Sequence, residues 1–160
     1  MISMSNVNKS YEKGAPVLKN IDLEVGAGEF VFLTGQSGAG KSTLLKLLFR
    51  QEVPDSGQIF VANRSIIRLN RKETMLLRRN TGVVFQDYQL MDNKTVFENV
   101  AFAMKALEYP WHTIKQKVPE MLEMMGIAAR AKAFPKQLSG GEQQRVALAR
   151  AIINLSLIHI

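Results

Sequence analysis

The sequence contains no cysteine, which excludes disulfides and thiolate metal sites and suits a reducing compartment. It also has no run approaching the roughly 18–20 apolar residues that a membrane-spanning helix needs. No signal segment is visible, because polar residues (Asn6, Asn8, Lys9 and Ser10) interrupt the start. We therefore expect a cytoplasmic protein that has no membrane anchor of its own.

The composition fits one globular domain with an excess of positive charge. The 160 residues, 46% of them hydrophobic, can build one domain with its own core. A net charge of +7 raises the alternatives of a nucleic acid or an anionic membrane surface. Because the basic residues are scattered along the chain, we favour a solvated face plus a phosphate pocket, and we expect no nucleic-acid partner.

A glycine-rich loop in the first third of the chain carries the clearest chemistry. Its residues match the pattern G-x-x-x-x-G-K-[ST]. They are Gly35, Gln36, Ser37, Gly38, Ala39, Gly40, Lys41 and Ser42, followed by Thr43. The apolar run 29–34 predicts a buried strand before the loop, and residues 42–49 predict a helix after it.

Strand, glycine loop and helix form the setting in which backbone N–H groups bind phosphate. We expect the loop through Thr43 to hold the phosphates of ATP. Lys41 would reach the β- and γ-phosphates, and the Ser42 hydroxyl would bind Mg²⁺. The alternative is an ordinary glycine-rich loop with a surface lysine.

Periodicity predicts further elements along the chain. Strands are expected at 21–25, at 58–61 after a turn at 54–57, and at 82–85, where the last one ends at Gln86. Helices are expected at 71–79, 95–106 and from Trp111 to a stop at Gly126.

A second glycine motif lies near the end of the chain, in the string Leu138-Ser139-Gly140-Gly141-Glu142-Gln143-Gln144-Arg145. Ser139 and Glu142 have the spacing of a capping box, so a helix should begin here and continue through 146–154. The glycine pair would expose N–H groups to an anion at the N-terminus of that helix.

The two glycine motifs together resemble the ATP-binding-cassette (ABC) ATPases, whose signature is the string L-S-G-G-E/Q. The resemblance implies an α/β P-loop NTPase fold with an antiparallel β-subdomain, a RecA-like core and a helical subdomain around 90–140. It also implies a head-to-tail homodimer, in which Ser139, Gly140 and Gly141 of one protomer hold the γ-phosphate bound by the other protomer's loop.

Other positions match the family residue by residue. The resemblance implies that Tyr11, expected just after the first strand, stacks on adenine. It implies that Gln86 contacts Mg²⁺ and the attacking water, which makes Lys41 and Gln86 the expected catalytic residues. Arg145 is expected to support the signature helix.

Several strings resemble the cell-division (FtsE-type) branch of the family. They are Leu33-Thr34-Gly35-Gln36-Ser37-Gly38-Ala39-Gly40, Leu48-Phe49-Arg50-Gln51-Glu52, Leu77-Arg78-Arg79, Phe85-Gln86-Asp87 and Phe134-Pro135-Lys136-Gln137-Leu138. This likeness implies a subunit that hydrolyses ATP on the cytoplasmic face of the plasma membrane, bound peripherally to an FtsX-like integral membrane protein. The alternatives are a lipoprotein-release or macrolide-type transporter subunit, a soluble ABC protein without a membrane partner, and a non-catalytic binding module.

The chain departs from the family pattern after the signature helix. The family continues into a strand ending in Asp-Glu, which supports Mg²⁺ and supplies the general base, and later carries a switch histidine. Residues 155–160 contain no carboxylate, and His159 comes too early for that histidine. We expect 1–154 to be a partial domain truncated at its C-terminus and 155–160 to be a non-native tail. Leu157, Ile158 and Ile160 could fill the slot of the Asp-Glu strand, and the 160-residue chain itself should be inactive.

Overall fold

The computed structural model describes residues 1–12 and 15–156. The chain divides into two compact units, Met1–Arg78 and Arg79–Ile160. The predictions made for Leu157, Ile158, His159 and Ile160 lie outside the described residues.

The N-terminal unit is built on a four-stranded antiparallel sheet. Its strands are β1 (Ile2–Glu12), β2 (Ala15–Val25), β3 (Ser56–Val61) and β4 (Arg64–Ser65), in the order β2-β1-β3-β4. Helix α1 (Lys41–Leu48) follows the glycine loop, and α2 (Arg71–Arg79) ends the unit. The antiparallel subdomain predicted from the sequence is confirmed, as are the strands at 21–25 and 58–61 and the helix at 71–79.

Alternation of apolar and polar residues explains why the sheet has one buried face. Side chains from β1, β2 and β3 meet those of α1 in a single core, which anchors the helix that follows the glycine loop. The fully or nearly buried members of this core are Met4, Val7, Leu18, Leu44, Leu47, Ile59 and Ile66.

Two strands predicted from apolar runs are absent from the structure. Residues 29–34 take no regular structure, and the side chains of Phe30 and Phe32 are 84% and 79% exposed. Residues 82–85 likewise take no regular structure, and Val84 is exposed. A buried strand needs neighbouring strands for its backbone hydrogen bonds. Within the described residues the sheet consists of β1–β4, so neither run joins a ladder.

The C-terminal unit is helical. It contains α3 (Val96–Lys105), α4 (Trp111–Met124) and α5 (Gly140–Ser156), with short 3-10 turns at Ala128–Arg130 and Pro135–Gln137. The predicted helices are confirmed, and α5 begins at Gly140, directly after Ser139 of the predicted capping box. The buried core is formed by Val96, Val100, Ala101, Met104, Ile114, Val118, Met121, Leu122, Ile127, Leu138, Val146, Ala149 and Ile153.

Local capping fixes where the helices begin. The Thr95 hydroxyl accepts from the Glu98 N–H at 3.2 Å, and the Glu98 carboxylate accepts from the Thr95 N–H at 2.8 Å. These two bonds form a capping box at the start of α3. They hold the pKa of Glu98 below its ordinary value, because hydrogen bonds from Thr95 favour the charged form.

Candidate nucleotide-binding site

The glycine loop leads directly into α1, with Gly40 as its N-cap. Gly40 has a φ of +88°, a conformation that favours glycine. A Cβ at this position would lie 2.7 Å from Leu18 Cδ2 and 2.9 Å from the carbonyl oxygen of Val17. The backbone therefore passes against β2 too closely for any side chain, which fixes the start of α1 on the sheet.

The side chain of Lys41 folds back over the loop. Its Nζ donates to the carbonyl oxygens of Gly35 at 2.8 Å and Gln36 at 2.6 Å. The residues from Gly35 to Ala39 are exposed, so the ammonium lies at an open loop. No acidic residue stands in the first turn of α1. The unpaired N–H groups at this end of the helix, its positive dipole and the ammonium thus form a setting for a polyphosphate.

The side chain of Ser42 places a hydroxyl oxygen at the same loop. Ser42 lies in the first turn of α1 and is exposed. Mg²⁺ is commonly bound by one or two protein oxygens together with substrate phosphates and water. The described residues hold no group of three His, Cys, Asp or Glu side chains that could bind a metal. Ser42 is the residue of this loop whose hydroxyl would hold an ion that arrives with a nucleotide.

Tyr11 lies within β1 near its end, which corrects the expectation that it follows the strand. Its side chain is about half exposed. The Tyr11 hydroxyl is 3.3 Å from the hydroxyl of Thr43, in the first turn of α1. Lys9 Nζ lies 5.4 Å from the Tyr11 ring centroid. The structure thus brings the predicted adenine-stacking residue to the predicted phosphate loop.

The signature turn has the predicted capping geometry. The Ser139 N–H and hydroxyl both donate to Glu142 Oε2 at 2.8 Å, and the Glu142 N–H donates to Ser139 Oγ at 3.3 Å. Arg130 Nε donates to the other carboxylate oxygen at 3.1 Å. Hydrogen bonds from Ser139 and then from Arg130 lower the pKa of Glu142 from 4.5 to about 2.

The glycine pair at the start of α5 presents an open surface. Gly140 and Gly141 are both exposed. A Cβ on Gly140 would come no closer than 3.8 Å to the Tyr88 hydroxyl, and one on Gly141 would meet nothing within 4 Å. Packing within the described chain therefore does not require glycine at either position.

Gln86 is exposed, in a segment that α5 holds in place. The two residues at the end of this segment, Tyr88 and Gln89, have φ values of +58° and +44°. For a residue other than glycine, such a conformation costs on the order of 1–2 kcal/mol. The guanidinium of Arg150 in α5 donates to both of their carbonyl oxygens at 2.7 Å. Burial lowers the pKa of Arg150 from its ordinary value.

Each unit thus contains part of the predicted site. The N-terminal unit brings Tyr11 to the phosphate loop, and the C-terminal unit brings the segment after Gln86 to the signature helix. Sequence reasoning missed Arg150. Its partners lie about sixty positions earlier in the chain and are backbone carbonyls, so no local pattern of side chains could have indicated the contact.

Comparison with known families decides the assignment. The family model described as "ABC transporter" matches residues 18–160. The chain belongs to this family. It is therefore an ATPase domain of the ABC class, with the α/β fold that goes with it.

Individual relatives agree with the family. The cell division ATP-binding protein FtsE of Bacillus subtilis is 46% identical over 154 residues, which cover 96% of this chain and 68% of FtsE. The methionine import ATP-binding protein MetN of Helicobacter hepaticus is also 46% identical over 154 residues, covering 96% of this chain and 44% of MetN. The chain thus spans about two thirds of the length of one of these ABC proteins and less than half of the other.

A solved structure shows the same fold in a nucleotide-bound dimer. The dimeric post-hydrolysis state of the ATP-binding cassette MJ0796, bound to ADP and Pi, superposes with a TM-score of 0.88 at 35% identity. The match covers 97% of this chain and 70% of that one. None of the described helices of the present chain is long and apolar enough to cross a membrane.

Proposed function

We propose that the protein containing this chain binds and hydrolyses ATP as the energy-supplying subunit of an FtsEX-like membrane complex in bacterial cell division. The observation that carries the ATP assignment is the open phosphate loop. There, the Lys41 ammonium lies against loop carbonyls at the N-terminus of a helix without an acidic first turn. The cell-division role is supported by the FtsE relative.

Each residue of the proposed site has a task in phosphoryl transfer. The backbone N–H groups of the loop and of the first turn of α1 bind the phosphates, and Lys41 offsets the charge that develops on the β- and γ-phosphates. Ser42 and Gln86 supply oxygen ligands to Mg²⁺, which neutralises phosphate charge when bound. Gln86 also orients the attacking water.

The second half of the site comes from another copy of the chain. Ser139, Gly140 and Gly141 of a head-to-tail partner would bind the γ-phosphate held by the loop. The exposed glycine pair supports this arrangement, because its N–H groups stand at the N-terminus of α5 with no side chain in front of them. The dimeric MJ0796 structure provides a precedent within the family.

The proposed location is the cytoplasmic face of the plasma membrane, through an FtsX-like integral partner. A short helix of that partner would dock beside Gln86, Asp87 and Tyr88. We propose that it would contact the apolar side chains of Leu90, Met91, Phe97 and Phe102, none of which is fully buried. Phe102 is 54% exposed on α3, which leaves an aromatic ring available for such a contact.

The equal identity to MetN supports a second candidate, a subunit that powers transport of a solute. Membrane recruitment and phenotype separate the two roles. We expect the full-length protein to sediment with membranes only when an FtsX-like protein is present, and its depletion to leave cells chained or filamentous. Depletion that stops uptake of a solute without affecting division would favour the transport role. Membrane binding without any partner, lost in high salt, would indicate a basic lipid-binding patch instead.

Assays of turnover call for the full-length protein. The exposed run Phe30–Leu33 enters no strand ladder within the described residues, and the position expected beside it belongs to the strand that ends in Asp-Glu. Exposed apolar runs of this kind promote aggregation. We therefore propose that the 160-residue chain alone binds nucleotide weakly and does not turn it over.

A further inference from the structure

A single side chain of the signature helix holds the backbone that follows Gln86. Arg150 Nη1 donates to the carbonyl oxygen of Gln89, and Nη2 donates to that of Tyr88, both at 2.7 Å. Two hydrogen bonds from one planar guanidinium fix direction as well as distance. Because the two acceptors belong to consecutive residues, the guanidinium fixes the turn itself.

This turn is strained. Tyr88 and Gln89 are consecutive residues other than glycine, and both have positive φ. Local backbone bonds contribute, since the Tyr88 N–H donates to the Phe85 carbonyl at 3.0 Å and the Gln89 N–H to the Asp87 carbonyl at 2.6 Å. Strained conformations of this kind persist where surrounding structure holds them in place. Here the guanidinium of Arg150 supplies that external support.

The surroundings of Arg150 favour a role in positioning rather than in general stability. None of the ion pairs found among the described residues involves it, although its side chain is partly buried. A partly buried cation without a carboxylate partner is a poor source of stability. Its two hydrogen bonds instead fix the conformation of the turn at Tyr88 and Gln89.

The side chain of Tyr88 points towards the first turn of α5. Its hydroxyl would lie 3.8 Å from a Cβ placed on Gly140. Tyr88 thus contacts α5 through its carbonyl at Arg150, and its hydroxyl is the atom that a Cβ on Gly140 would approach.

We propose that Arg150 is a positioning residue, which ties the segment Gln86–Gln89 to the signature helix so that the two move as one body. When the signature glycines engage a phosphate, the placement of Gln86 and of its docking surface changes with them. The change in the placement of Gln86 rests on the function proposed above. The attachment of the segment to the helix through Arg150 does not depend on that function.

The test compares two substitutions in the full-length protein. Arg150→Lys keeps the charge but cannot span both carbonyls, and Arg150→Met keeps the length without any donor. Arg71→Lys, at an exposed position at the start of α2, is the matched control. In both Arg150 variants we expect the amides of Tyr88 and Gln89 to exchange hydrogen about tenfold faster, while α3 and α4 keep their protection. We expect kcat for ATP to fall about tenfold with KM within about twofold, because Lys41 and its loop are untouched.

Unchanged exchange at Tyr88 and Gln89 in both variants would overturn the proposal. Loss of protection throughout α3 and α4, or failure of both variants to fold, would also overturn it by making Arg150 a general packing residue. A wild-type protein without ATPase activity would defeat the proposed function, and the exchange comparison would still decide whether Arg150 holds this segment.

Discussion

The hydroxyl of Tyr11 lies 3.3 Å from the hydroxyl of Thr43, which joins the end of β1 to the first turn of α1. This contact places an aromatic ring at the phosphate loop and gives Thr43, a buried residue, a partner within the chain. The ring face and the hydroxyl can therefore be tested separately.

The substitution Tyr11→Ala removes the aromatic ring and the hydroxyl, whereas Tyr11→Phe removes only the hydroxyl. Stacking of a base on an aromatic ring is worth about 1–3 kcal/mol. We expect Tyr11→Ala to weaken ATP binding about tenfold and Tyr11→Phe to weaken it by less than about threefold. Inorganic triphosphate, which has no base, should bind all three proteins alike in calorimetry. If triphosphate binding fell as much as ATP binding, Tyr11 would be supporting the loop rather than stacking on adenine.

Substitution by alanine should lower the stability of the folded protein by different amounts at two glycines of the loop. At Gly38, with φ +81° and nothing within 4 Å of an added Cβ, alanine meets only backbone strain of about 1–2 kcal/mol. At Gly40 the added Cβ also collides with Leu18 and Val17, which adds about 1–3 kcal/mol of overpacking. Thermal unfolding should therefore show a lower Tm for Gly40→Ala than for Gly38→Ala. Equal Tm values would contradict the close contact between the loop and β2.

The depressed pKa of Glu142 predicts a specific loss of stability in acid. Because the folded-state pKa is about 2 and the ordinary value is 4.5, the stabilisation is fully present above about pH 4.5 and is lost as the pH falls towards 2. Glu142→Gln can retain the capping box but not the charge-assisted bond from Arg130.

The difference in free energy of unfolding between wild type and Glu142→Gln should therefore shrink between pH 4.5 and pH 2. Glu123→Gln serves as the control, since Glu123 is exposed on α4. A difference that stays constant with pH for Glu142→Gln would argue against the interaction of its carboxylate with Ser139 and Arg130.

The predictions from sequence are accurate where an element is stabilised by residues close to it in the chain, and less accurate where it depends on distant residues. Helix starts that rest on local bonds, such as the capping boxes at Thr95 and Ser139, were predicted to within a residue. The start of α1 was predicted for the same reason, because the pattern of the glycine loop ends in a helix N-terminus. Both are interactions between residues only a few positions apart.

The failures concern interactions over longer distances. The runs 29–34 and 82–85 have the apolar composition of strands, but a strand also needs neighbours, and the described residues provide none beside them. The contact of Arg150 with the carbonyls of Tyr88 and Gln89 was not predicted. Every residue has a backbone carbonyl, so the sequence does not indicate which carbonyls accept these hydrogen bonds. The local periodicity of apolar residues indicates which positions prefer to be buried. It does not show which strands pair with one another.

Gly140→Asp tests the shared site. The added side chain has room, since nothing comes closer than 3.8 Å to its Cβ, so the fold and ATP binding at the loop should be unchanged. The carboxylate would stand beside the partner's γ-phosphate, and the repulsion should prevent dimerisation driven by a non-hydrolysable ATP analogue. Gly140→Asn, similar in size but uncharged, should dimerise better. Wild-type dimerisation of the Asp variant in analytical ultracentrifugation would be incompatible with a head-to-tail site at this turn.

The central claim is that the loop around Lys41 binds ATP for hydrolysis, and the direct measurement is Mg²⁺-dependent phosphate release by the full-length protein. Lys41→Ala should lower kcat by about 100-fold or more and weaken ATP binding, because it removes the ammonium that the structure places at the loop. Lys46→Ala, in the last turn of the same helix, should leave kcat within about twofold of wild type, since a change at a partly exposed side chain away from the loop costs little. Phosphate release by Lys41→Ala at the wild-type rate would contradict the account.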